Sequence, residues 1–184
     1  MSNDVPSSPL APLLRRARLR AAGPFLRGRV LDYGCHTGAL TAMCRPDAYL
    51  GVDIDERALE AARAAHPGYE FDVKVSEHER FDTVAGLAVL EHVHDPLDQL
   101  IQWSRLLRPG GAIVLTTPHP RYEWILTLGA RLGVFNRHSL DEHEDLLDRR
   151  RMGELADAAG LRVETYRRFL LGANQLFVLR PAQG

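Results

Sequence analysis

The 184-residue chain reads as an α/β domain in which five strand–helix units form a parallel sheet and a terminal hairpin adds an antiparallel strand. Three observations predict this. Short apolar runs alternate with helical stretches through the middle of the chain. The stretch Val-Leu-Asp-Tyr-Gly-Cys-His-Thr-Gly-Ala-Leu at 30–40 takes a strand through a glycine turn into a helix. Near the C-terminus, two β-rich runs are separated only by Gly172-Ala173-Asn174, which makes them a hairpin.

Each element has a local reason. Residues 1–9 show no periodicity and are expected to be disordered. Leu10, Leu13, Leu14 and Ala17 follow helical spacing, with Arg15, Arg16, Arg18 and Arg20 on the other faces. The first strand covers 30–35 and a helix follows at 38–44. The second strand covers 49–53. Asp55 then caps a helix at 56–65, which Pro67-Gly68 stops. Strand three is expected at 69–75, and strand four at 81–86, buried on both faces. Asp95 and Pro96 open the next helix as N-cap and first helical residue. Its apolar stripe is Leu97, Leu100, Ile101 and Leu107, and Pro109-Gly110-Gly111 ends it. Strand five is 112–117. Asp148 caps the last helix, with the stripe Met152, Leu155, Ala156 and Ala159, and the hairpin strands are 163–171 and 175–179. With no repeat, low-complexity tract or linker, residues 10–184 read as a single domain.

Composition removes several classes of function. A formal charge of −1 gives no global field for nucleic acid or an anionic membrane. Arginines at 15–20 and 149–151 read as solvated helix faces, without the interleaved aromatics of a nucleic-acid surface. Cys35 and Cys44 read as buried thiols of a reducing compartment. The N-terminus lacks the blocks of a signal peptide, and no run is long enough to span a membrane, so a cytoplasmic protein is expected.

The chemistry concentrates on the first turn. Glycines there let the backbone approach a ligand. Asp53, closing the second strand, is an acid able to accept both hydroxyls of a ribose. The two features together describe a pocket for an adenosine-containing cofactor.

Six blocks then follow in order: Val-Leu-Asp-Tyr-Gly-Cys-His-Thr-Gly, Gly-Val-Asp-Ile-Asp, Phe-Asp-Thr-Val, Leu-Glu-His-Val-His-Asp-Pro, Leu-Leu-Arg-Pro-Gly-Gly and Leu-Thr-Thr-Pro. The set resembles the class I S-adenosylmethionine-dependent methyltransferases, in particular the ubiquinone-pathway O-methyltransferases. The resemblance implies a Rossmann-like sheet of order 3-2-1-4-5-7-6, with S-adenosylmethionine as cofactor and S-adenosylhomocysteine as product. Gly34 and Gly38, with Cys35 and His36 between them, would pass beneath the methionine tail and ribose. Asp32 would attract the tail ammonium, Asp53 the ribose hydroxyls, and Ile54 would cover one adenine face. Leu87 and Ala88 would flank the sulfonium and adenine.

Two positions depart from the family pattern. His36 stands where the family has the middle glycine of its turn. The acid that often binds the adenine amino group is represented only by Asp72 or Glu77, with Asp72 preferred.

Methyl transfer asks for in-line positioning and a base for a protonated acceptor. His92, His94, His119, His138 and His143 stand near the expected mouth. Of these, His92 and His143 are the candidates to act as base or to orient the acceptor. Related O-methyltransferases hold a divalent metal through Glu-x-x-Glu-His. Here Ala88 replaces the first glutamate, leaving Glu91, His92 and His143, and no metal is expected.

Residues 119–147, with Tyr122, Trp124 and Phe135, are expected to form an acceptor lid facing the helix at 10–20. The expected activity is methylation of a small molecule, at oxygen. Its alternatives are a non-catalytic protein that binds S-adenosylmethionine or S-adenosylhomocysteine, and a metal-assisted RNA 2′-O-methyltransferase. Nicotinamide chemistry ranks below these, because the terminal hairpin and the Leu-Glu-His-Val block count against it.

Overall fold

The computed structural model describes residues 11–120 and 147–182. The expectations for residues 1–9, for Leu10, and for Tyr122, Trp124, Phe135, His138 and His143 in the lid fall outside them.

Seven strands form one sheet in the order β3-β2-β1-β4-β5-β7-β6, the order the resemblance implied. They are β1 (Val30–Tyr33), β2 (Tyr49–Val52), β3 (Glu70–Asp72), β4 (Phe81–Leu87), β5 (Leu107–Pro118), β6 (Leu161–Phe169) and β7 (Asn174–Pro181). The first five are parallel, and β7 runs antiparallel between β5 and β6. The described α-helices are α1 (Ala11–Ala22), α2 (Glu56–Ala65), α3 (Pro96–Arg105) and α4 (Arg149–Ala158).

The helices cover both faces of the sheet, as strands buried on both sides require. On one face Leu59 and Ala62 of α2 pack with Val30, Tyr49 and Phe71, and Ala22 of α1 packs with Val114 and Val178. On the other, Trp103 of α3 and Met152 of α4 join Leu31, Val84, Ile113 and Phe177. Strand order reverses between β1 and β4. This leaves a crevice at their carboxyl ends, where ligands of open α/β sheets bind.

The aspartate caps form as their sequences dictate. Asp55 accepts from the N–H groups of Arg57 and Ala58, Asp95 from that of Asp98, and Asp148 from that of Arg151.

Several expectations need correction. Residues 38–44 do not form an α-helix: after Gly38, left-handed at φ 74°, the chain makes a 3-10 helix over Ala39–Met43 and a second over Pro46–Ala48. The glycine breaks the helical path at its start and Pro46 stops it, so the turn lacks a full helix behind it. Residues 73–80 connect β3 to β4 without a helix, so the strand–helix units are fewer than five. As an edge strand bonded only to β2, β3 shrinks to Glu70–Asp72. Leu107 belongs to β5, where it pairs with Phe81, and not to the stripe of α3. Both hairpin strands are displaced, because Leu170 and Leu171 join Gly172 in left-handed conformations and form the turn themselves.

Candidate active site

The glycine turn is fastened to the neighbouring strand. The amides of Gly34 and Cys35 both donate to the Val52 carbonyl, at 2.8 and 3.0 Å. Gly34 has φ 73°, and a Cβ there would lie 2.6 Å from Val89 Cγ2, so both the backbone and the space require glycine. His36 takes φ 47°, the left-handed conformation that the family's glycine would favour. Its side chain is exposed. Its amide donates to Asp53 Oδ2 at 2.8 Å, while Asp53 Oδ1 accepts from the Asp55 amide at 2.9 Å. Two backbone donors thus fix the Asp53 carboxylate, and each oxygen keeps a further lone pair for a hydroxyl.

Asp32, only 4% exposed, accepts a hydrogen bond from the Tyr49 hydroxyl at 2.8 Å. Burial pushes its carboxyl up to about 7; the Tyr49 bond opposes this and the Asp53 charge adds to it. Burial first, then Asp32 and Asp53, also raises the Cys35 thiol, and burial lifts Cys44 to about 11. Neither cysteine is a thiolate at neutral pH.

Two cavities share Gly34 in their linings. One, about 190 Å³, is lined by Arg15, Arg18, Asp32, Cys35, His36 and Leu87 among others. The other, about 450 Å³, carries Asp53, Ile54, Val73, Val89, His92 and Gln99. Ile54 is 94% exposed, an apolar side chain standing open at a polar rim.

The sequence reading missed Arg18. It is half-buried on α1 and donates from Nε to Asn174 Oδ1 at 3.3 Å. Burial lowers its pKa, and the Glu91 carboxylate opposes that shift. A signal existed: Leu14, Ala17, Arg18 and Ala21 share one helical stripe, so this arginine belongs to the buried face.

The remaining candidates are dispersed. Gly38 lies under the turn, where a Cβ would strike the Phe71 ring at 2.8 Å. Asp72 bonds the amide of its own neighbour Val73 at 2.6 Å. Ala88, at φ 61°, donates its amide to the Thr116 carbonyl at 2.8 Å. None of these three is among the residues lining the two cavities. His92 opens on the Asp53 side. His119 stands past the end of β5, in an open depression with Asp148, Arg149 and Tyr166. Among the described residues no three His, Cys, Asp or Glu side chains are grouped to hold a metal, and no helix is long and apolar enough to cross a membrane.

A family model described as a methyltransferase domain matches residues 9–166. The ubiquinone biosynthesis O-methyltransferase of Roseobacter denitrificans is 38% identical over 110 residues, which are 54% of this chain and 44% of that protein. The protein of the same description from Aeromonas salmonicida is 29% identical over 157 residues, 77% of this chain and 66% of that one. The chain thus spans about half the length of the first of these relatives and two thirds of the other. An S-adenosylmethionine-dependent methyltransferase structure from Clostridium acetobutylicum superposes with a TM-score of 0.69 over 93% of this chain and 89% of that one. Its identity is 12%, so this likeness speaks for the fold.

Proposed function

We propose that this chain, which belongs to the methyltransferase domain family, transfers the methyl group of S-adenosylmethionine to an oxygen of a small-molecule acceptor. The observation that carries the reading is the pair of cavities that share Gly34 in their linings, one holding Asp32 and Arg18, the other Asp53 and Ile54. The donor set suits the cofactor end by end. An anion and a cation together match a zwitterionic amino-acid tail. A fixed carboxylate matches a ribose diol, and an exposed isoleucine matches the face of a flat base. The oxygen preference is supported by the relatives named above.

When bound, the sulfonium supplies an already electrophilic methyl group, which leaves the protein positioning and proton removal. Ionised Asp32 attracts the tail ammonium and Arg18 its carboxylate, fixing the molecule at one end. Asp53 fixes it at the ribose. Leu87 lines the same cavity as Asp32 and gives it an apolar surface. His36 leaves the turn open, since its backbone follows the glycine path and its side chain is exposed. Of the candidate bases, His92 lines the cavity assigned to the ribose and adenine, and His143 is not among the described residues.

Calorimetric titration with S-adenosylhomocysteine, with NADH as comparison, tests the reading. Micromolar binding of the former alone is expected. Asp53→Ala leaves the ribose hydroxyls without their acceptor and should weaken binding by about 1–3 kcal/mol. An unchanged dissociation constant in that variant would move the site elsewhere.

A further inference from the structure

The 450 Å³ cavity contains a polar group that the protein itself does not use. Gln99 lies on α3 facing the sheet, 8% exposed, and its Nε2 has no hydrogen-bond partner among the described residues. Buried amides are normally paired, so an unused donor on a side chain that lines a cavity points to an outside acceptor, reached when the amide turns by half a rotation. Part of that cavity suits a flat ring, since Val73, Val89 and Ile54 are apolar beside Asp53, while Lys74, His92 and Gln102 make the remainder polar. Asp72, which the sequence favoured for the adenine amino group, spends its Oδ1 on the Val73 amide and is not part of the lining.

We infer that Gln99 reads the adenine edge of the cofactor, its amide nitrogen donating to a ring nitrogen and its carbonyl accepting from the 6-amino group. This is the two-point match an amide side chain makes with adenine wherever both edges are free. The inference rests on the cofactor reading of the site, and it assigns base recognition to α3 instead of the end of β3. Asn and Gln amides can turn by half a rotation, so the side chain presents donor and acceptor in either order.

The test compares S-adenosylhomocysteine with its purine analogue lacking the 6-amino group, in wild type, Gln99→Met and Asp72→Ala. Methionine keeps the length of the side chain, deletes both polar atoms and suits a buried site, so the fold should hold, as a melting curve checks. Wild type should prefer the adenine compound about ten-fold, one lost hydrogen bond's worth. Gln99→Met should bring the ratio within about two-fold while Asp72→Ala leaves it unchanged. A ratio kept in Gln99→Met, or lost in Asp72→Ala instead, overturns the assignment while leaving the cofactor reading standing. Failure of wild type to bind either compound overturns both.

Discussion

Asp32 is a carboxyl buried beside a cavity, with one phenolic donor to support it. Burial raises its pKa to about 7, so below that pH the folded protein holds the carboxyl protonated. The stabilisation from that proton is complete below about pH 4 and is lost as pH climbs toward 7. Binding an ammonium has the opposite demand, because it needs the ionised form. Affinity for S-adenosylhomocysteine should therefore rise between pH 6 and 8. Asp32→Asn should flatten that rise, weaken binding and raise the melting temperature of the ligand-free protein at pH 8. A variant with an unaltered pH profile of binding would remove Asp32 from the tail site. His36 allows a milder check: since its backbone already follows the glycine path, His36→Gly should leave the dissociation constant within about three-fold. A gain of tenfold or more would mean that the imidazole obstructs the cavity.

Among the elements, the turn after β1 is the least tolerant of change. Gly34→Ala adds a left-handed alanine and a contact with Val89, together worth about 2–4 kcal/mol of stability by urea denaturation. Gln175 of β7 performs a different task, donating from Nε2 to Thr117 Oγ1 at 3.0 Å, to the Pro118 carbonyl at 3.1 Å and to the Leu147 carbonyl. It joins both sides of the 119–147 segment to the sheet. Gln175→Leu should cost about 1–3 kcal/mol, measured the same way, because buried carbonyls lose their donor. The sequence revealed the elements with strong local chemistry. Asp55, Asp95 and Asp148 cap where capping residues belong, and the ordered blocks led to the sheet order. It concealed whatever depends on neighbours. The 3-10 path after Gly38 and the shortness of β3 follow from a left-handed glycine and an edge position, which leave helix and strand propensities unaltered. Arg18 reads as one solvated charge among four although its helical stripe is legible, and only the fold shows that it and Gln99 line cavities.

At the scale of the molecule, ligand binding and folding are one equilibrium. S-adenosylhomocysteine at a hundred times its dissociation constant should add about 2.7 kcal/mol to stability. For a domain of this size that raises the melting temperature by roughly 5–10 °C, and NADH should raise it by nothing measurable. Equal shifts from the two would contradict the cofactor assignment. The sharing of a single glycine by two cavities has a separate consequence for how such a ligand is held. On the proposed reading, adenosine and homocysteine offered separately should each bind weakly to one half of the site. Joining them through one sulfur makes the second contact intramolecular, and the gain appears as effective concentration without any new contact. On that reading the affinity is built into the span across Gly34, and a shift of that turn should change the whole ligand's binding far more than that of either fragment.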